Sequence, residues 1–478
     1  MPAPLTLHPD RFFPPDPAER RAARAIYEDT AGLPIVSPHG HVEPALLAEN
    51  EPFPEPTELL ITPDHYIFRM LHSQGIGLDD LGIPRSDGTR ADVDPREVWR
   101  TFCAHWCLFA GTPTRAWLEY ELAELFGVEV VPEAATADRI YDQIAERIAS
   151  PEYRPRALFE RFGIETLATT DAATDTLEHH AALHAMGWKD RVIPTFRPDA
   201  LVRIARPAWR AEVARLAERT GSEIDSYAAF ADALRQRRAF FDEHGAVATD
   251  HAAETARTGW LTAAELERVF DAALDGTVTS ADEEAFTAHM LMSFAEMSTE
   301  DGLVMQLHVG ALRDHNGPLA ARFGPDTGAD IPLATEFTRA LRPLLSEFGS
   351  APDFRMIVFT LDEATYAREL APLAGHYPGL VLGPAWWFHD SIEGMLRFRE
   401  RTTETAGFHN TAGFNDDTRA FCSIPARHDL ARRIDAHYLG RLVARHQISL
   451  AEARRIGVNL AVTLPRRAYR LDRQAVPA

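Results

Sequence analysis

The sequence predicts an α/β fold, a TIM-type (β/α)8 barrel carrying a helical insertion after its first strand. Three observations predict it. Eight short apolar runs recur along the 478 residues, and each breaks sharply into polar sequence and then a helix-like stretch. That is the pattern of parallel strands joined by crossover helices. Residues able to bind metals or move protons collect just past the ends of those runs, and barrel enzymes gather their reacting groups at the C-terminal face. Finally, the gap between the first and second runs is far too long for one crossover, so an insertion must fill it.

Residues 1–32 are expected to form an N-terminal helical arm, and 33–41 the first barrel strand. Residues 42–160 hold several helix-like pieces, including DPREVWRTFCAHWCLFAG and TRAWLEYELAELFG, and form the insertion near the barrel mouth. The rest of the barrel is expected over 161–465. Its runs are ETLATT (165–170), RVIPT (191–195), AVAT (246–249), VMQLHV (304–309), RMIVFTL (355–361), GLVL (379–382) and 411–414. The stretches AETARTGWLTAAELERVFDAALDG and LARRIDAHYLGRLVARH have the apolar spacing of helices that cover a sheet. Residues 278–300 are expected to be a smaller helical excursion, and 466–478 a C-terminal tail.

Composition excludes several classes of function. The 71 acidic residues outnumber the 49 basic ones, for a formal charge of −22. A nucleic-acid partner would want a basic face, whereas an anionic small substrate needs only a few local arginines. The N-terminal MPAPLTLHPDRFFPPDPAER has neither a basic n-region nor an apolar h-region, so no signal peptide is expected. No apolar run approaches the ~20 residues of a membrane span. Cys103, Cys107 and Cys422 are too few for a disulfide framework. A soluble cytoplasmic protein with no membrane partner is expected, and a homo-oligomer is compatible with the sequence. Lys189 is the only lysine and sits in the charged turn GWKDRV, so it reads as solvated rather than as a Schiff-base residue.

The first run delivers His39-Gly40-His41. Residues i and i+2 of an extended strand share a face, about 6.6 Å apart along it. Two imidazoles so placed can converge on one ion at nitrogen–zinc distances near ~2.1 Å, and Gly40 lets the backbone approach without a side chain in the way. Alone, the pair does not separate a metal hook from two chance loop histidines. Other run ends add to it: His308 just before Gly310, Arg197 in FRPD, and Asp417 with Arg419 in NDDTR, which share a face if that backbone stays extended. Each has an ordinary alternative, such as a core histidine bonded to a carbonyl or a surface ion pair. Asp171 and Asp250 read as N-caps of following helices and stay off the list. Cys103 and Cys107, four apart in a helical pattern, can share a face but His105 points away from it, and His179 and His180 diverge on a helix, so neither set reads as a metal site.

Longer words then bring a resemblance. PHGHVEP, TPDHYIFRML, TTDAATDTLEHH, VIPTFRPD, MQLHVGALRDHN, PAWWFHD and GFNDDTRAF, spread from residue 33 to about 440, resemble the uronate isomerase family of the amidohydrolase superfamily. The resemblance implies a distorted (β/α)8 barrel that interconverts a hexuronate aldose and its ketose. Typical pairs would be D-glucuronate with D-fructuronate and D-galacturonate with D-tagaturonate. It implies one divalent ion, zinc in first place, with manganese, iron or cobalt as alternatives, on His39, His41 and Asp417. Asp417 is chosen over Asp416 because DxR is the family spacing. Asp417, His308, Tyr66 and Arg419 would then be catalytic. Arg197, His65, Arg419, Trp386 and Trp387 would bind substrate, Arg197 as a bidentate clamp for the C6 carboxylate. Two rival readings use the same residues: a metal-dependent hydrolase of a sugar-acid lactone or amide, and a non-catalytic sugar-acid-binding barrel.

Overall fold

The computed structural model describes residues 2–472, so the end of the 466–478 segment lies outside the described residues. Seven of the eight apolar runs are strands: Ile35–Ser37, Ile164–Ala168, Val192–Ile193, Ala248–Ala253, Val304–Val309, Met356–Thr360 and Leu380–Leu382. They pair in parallel, in chain order, as a distorted (β/α)8 barrel. Pro194 breaks the third strand, because proline offers no N–H to the ladder. Beyond the break the second and third strands resume as Asp171–Ala172 and Phe196–Arg197, which pair with each other, and Phe196 pairs with Thr249 of the fourth strand.

The eighth position corrects the sequence reading. Residues 411–414 form no strand; Thr411 alone bridges Leu382. The ring is closed by irregular backbone instead. The His41 N–H donates to the Thr418 carbonyl at 3.0 Å, and the Thr170 hydroxyl donates to the Gly40 carbonyl at 2.9 Å. The first of these bonds stitches the first and last segments of the barrel side by side, and the second ties the first segment to the second.

Helix starts follow from proline placement. Pro17, Pro44, Pro56, Pro95, Pro113 and Pro155 each open a helix. There a missing N–H costs nothing and the fixed φ is already helical. Asp16, Asp94 and Thr112 cap three of them through side-chain oxygens. The arm helix Pro17–Thr30 packs Ala23 and Ile26 against Ala436 and Leu439 of helix Ile424–Ala444. The helices between residues 44 and 161 bury Trp99, Phe102, Phe109 and Phe126 in a hydrophobic cluster that continues onto Ile35, Ile164, Leu167 and Val192 of the first three strands. This cluster carries the short helix His65–His72 to the barrel mouth.

Three further differences concern boundaries. The expected excursion at 278–300 is the 22-residue helix Ser280–Asp301, buried over Met290, Leu291, Met292, Phe294 and Ala295 and packed on the fifth strand. Its nearly continuous apolar stretch hid the one-sided pattern of a covering helix. Residues 466–472 are not a loose tail: Leu464–Ala468 is helical, and the buried Tyr469 hydroxyl donates to Gln306 of the fifth strand at 2.9 Å. An unforeseen excursion follows that strand, where Ala311–Leu312 pairs antiparallel with Ile331–Pro332 and carries a loop to the cavity. Among the described residues, no helix is long and apolar enough to cross a membrane.

Candidate active site

The C-terminal ends of the strands open into a cavity of about 370 Å³, within the range typical of small-molecule sites. Asp417 Oδ1 lies 3.4 Å from His39 Nε2 and 3.0 Å from His41 Nε2. Residues from opposite ends of the chain therefore meet where the barrel closes. The backbone at Asp417 is not extended, as the sequence reading required, but left-handed at φ 45°, an uncommon conformation for a side chain of this kind. The kink parts Asp417 from its neighbours. Asp416 turns away to accept from His428 Nε2 at 3.0 Å. Arg419 reaches Asp326 on the excursion loop at 2.5 Å.

A second group adjoins the first through His39. Its ring stacks on His308 at 4.8 Å between centroids, and His308 Nδ1 donates to Asp250 Oδ1 at 2.8 Å. His39, Asp250 and His308 are 1%, 2% and 4% exposed. The donor atoms of His39, His41 and Asp417 lie within 4.8 Å of one another, as do those of His39, Asp250 and His308. Among the described residues, Asp417 Oδ1 and His308 Nε2 are buried without a hydrogen-bond partner. Buried polar atoms are normally satisfied. A buried carboxylate oxygen facing two imidazole nitrogens is the arrangement a divalent cation needs, so the residues fit such an ion.

The electrostatics agree with the geometry. Burial opposes the charge on Asp417, but His39 and His41 outweigh it and hold the carboxyl well below the usual carboxylate range. Burial likewise opposes Asp250, and Arg197 and then His308 hold it well below that range. Arg197 lies 2.9 Å from Asp199 and 3.4 Å from Asp250.

The insertion supplies the opposite wall. The Tyr66 hydroxyl donates to Asp390 at 2.9 Å and accepts from the Phe388 N–H at 3.2 Å. Arg427 steadies Asp390 at 3.2 Å. His65 stacks on Tyr66 and meets Trp387 edge-on, at 5.1 and 5.0 Å, and its buried Nε2 has no partner. Burial, then Arg419, push the His65 imidazole down to about 3, so it stands neutral. Trp386 packs edge-on against His308 at 4.7 Å.

A family profile described as glucuronate isomerase matches residues 17–458. The chain belongs to the glucuronate isomerase family. A uronate isomerase of Xanthomonas campestris pv. campestris is 53% identical over 471 residues, which cover 98% of this chain and 100% of the relative. The crystal structure of glucuronate isomerase from Caulobacter crescentus superposes with a TM-score of 0.96 at 51% identity, covering 98% of each chain. A uronate isomerase from Thermotoga maritima, 28% identical, superposes at 0.90 over 97% of this chain and 99% of its own.

For this member of the glucuronate isomerase family, sequence reasoning gathered ten residues that the fold places on one cavity: His39, His41, His65, Tyr66, Arg197, His308, Trp386, Trp387, Asp417 and Arg419. It missed Asp250, which is no helix cap but sits inside the strand Ala248–Ala253. The signal available was alternation, since Asp250 and Ala252 share a face and His251 takes the other; His251 Nε2 is 2.8 Å from the Thr249 hydroxyl. Asp171 is not a cap either, but accepts from the Thr169 hydroxyl at 2.7 Å. Cys103 is buried and Cys107 exposed, because the helix ends at Ala104 and the next turn is a separate 3-10 segment.

Gly383 backs the cluster. A Cβ there would stand 2.4 Å from the Phe359 ring, and that ring stacks on His308 at 4.1 Å. Gly383→Ala is expected to destabilise the fold by about 1–3 kcal/mol through overpacking and to lower kcat by displacing His308. Urea denaturation and steady-state rates check the two effects together.

Proposed function

We propose that this enzyme isomerises hexuronates, D-glucuronate to D-fructuronate or D-galacturonate to D-tagaturonate, at a site where His39, His41 and Asp417 hold one divalent cation, zinc first among the candidates. The observation that carries this reading is the meeting of those three side chains on a wall shared with arginines. Such a cation would supply positive charge to the C1 and C2 oxygens, where negative charge develops in an enediolate.

The chain's own groups supply the rest. The reaction moves a proton from C2 to C1 and another between the two oxygens. Asp417 offers a second carboxylate oxygen to carry the carbon-bound proton. Tyr66 and His308 flank the substrate oxygens. Tyr66 is held in place for that role by the bond it donates to Asp390, which Arg427 steadies in turn. His65, Arg197 and Arg419 orient the hydroxyls and carboxylate, and Trp386 and Trp387 exclude water from the reacting carbons.

The test is direct. Purified protein is incubated separately with each uronate while ketose formation is followed, and its metal content is measured. Ketose from at least one uronate is expected, and dialysis against a chelator should lower the rate about tenfold or more until metal is returned. Lactone hydrolysis without ketose would establish the hydrolase reading. Uronate binding with no bound ion and no turnover would establish a non-catalytic barrel.

A further inference from the structure

The helix Ile424–Ala444 carries a buried cation close to its start. Arg427 is the fourth residue of that helix and is 3% exposed. A positive charge in a first turn stands against the helix dipole, and a buried cation must be well paired to be kept. The partners of Arg427 lie on two parts of the chain that are far apart in sequence.

On one side the guanidinium faces the insertion. It lies 3.7 Å from the ring centre of Trp117, in the insertion helix Pro113–Tyr120, a separation at which a cation and an indole attract. Its Nη1 donates to Asp390 Oδ2 at 3.2 Å, and the other oxygen of Asp390 accepts from the Tyr66 hydroxyl. On the other side it grips the segment that carries Asp417. The same Nη1 donates to the Asp416 carbonyl at 3.3 Å. That carbonyl belongs to the peptide plane preceding Asp417, so holding it helps to fix the left-handed φ of 45°. A residue with a side chain stays in that region only where its surroundings over-determine it. The Arg427 Nε donates to the Ser423 hydroxyl at 3.1 Å. Ser423 in turn donates to the Ala420 carbonyl at 2.8 Å and lies 3.2 Å from the Thr418 hydroxyl. Both ends of the stretch 416–420 are thereby tied to one guanidinium, whose planar fork holds partners at a set spacing.

We propose that Arg427 is a positioning residue that locks Tyr66 of the insertion and Asp417 of the barrel into one catalytic geometry. The proposal rests on the isomerase reading above, and it makes the insertion part of the reacting site rather than a cover for it.

Steady-state kinetics with D-glucuronate and D-galacturonate test it on the intact wild type, Arg427→Lys, Ser423→Ala, Tyr66→Phe and the double variant Arg427→Lys with Tyr66→Phe. Arg427→Lys keeps the charge but loses the fork. It is expected to lower kcat roughly 10- to 100-fold with KM within about threefold, the signature of misplaced groups rather than lost substrate contact. Ser423→Ala frees the Nε without removing a charge and should lower kcat about three- to tenfold. It decides the matter if the lysine variant does not fold. In the Tyr66→Phe background, Arg427→Lys should cost no more than about threefold, because groups that act as a unit are not additive. An equal cost in both backgrounds overturns the proposal, since a purely structural arginine would weaken both enzymes alike. A raised KM with kcat kept overturns it in favour of direct substrate contact. Values of kcat for Arg427→Lys and Ser423→Ala within about twofold of wild type overturn it and leave the isomerase reading standing. Wild-type protein that turns over neither uronate overturns the isomerase reading itself.

Discussion

Asp417→Asn is expected to lower kcat roughly 10⁴-fold while the far-ultraviolet circular dichroism stays unchanged. Two losses combine. An amide cannot accept the C2 proton, and losing a positioned general base alone costs about 10²–10⁴ in rate. The amide also removes the carboxylate that faces both His39 and His41, so the proposed cation, which would stabilise developing enediolate charge, would be held less firmly. Asparagine is nearly isosteric and enters the left-handed backbone region readily, so φ 45° at this position is no obstacle to folding. Metal content and kcat together check the prediction. A variant that keeps its metal and loses less than tenfold in kcat would show that Asp417 neither holds the ion nor moves the proton.

How much of this was legible beforehand varied with the kind of interaction. The strands were legible because they are buried on both faces and read as apolar runs between breakers. Val304–Val309 matched to the residue. The eighth segment was not, since its path is set by backbone hydrogen bonds with His41 and Leu382, partners remote in sequence. The candidate metal-binding pair His39 and His41 could be read from an i, i+2 spacing, which is local. The orientation of Asp417 against Asp416 could not, because it depends on a positive φ that no neighbouring glycine announced. The pairing state of the arginines was equally hidden. FRPD marks Arg197 as interesting, but only the fold shows that Asp199 and Asp250 already claim it.

Asp250 and Asp171 stand at comparable strand ends, and substituting each by asparagine should separate them. Asp250 receives His308 Nδ1 and lies against Arg197, with almost no water access. Asparagine there leaves the Arg197 charge half-compensated and the His308 ring poorly oriented. Breaking one partner out of a buried pair costs about 3–5 kcal/mol, and losing aligned electrostatics in a site costs about 10²–10³ in rate. Asp250→Asn is therefore expected to lower kcat near the upper end of that range and to destabilise the fold. Asp171 accepts from the Thr169 hydroxyl and the Thr195 N–H, and burial pushes its carboxyl up to about 7. A carboxyl raised this way favours folding most when protonated, and that advantage is lost as pH rises from its unfolded value near ~4 through about 7. Asp171→Asn, which fixes the uncharged form, should leave kcat within about threefold and raise the melting temperature above pH 7 relative to wild type. Rates and melting curves across pH 5 to about 8.5 decide both cases. Equal losses of activity at the two positions would mean that proximity to the strand ends matters, and not the pairing of Asp250 with His308 and Arg197.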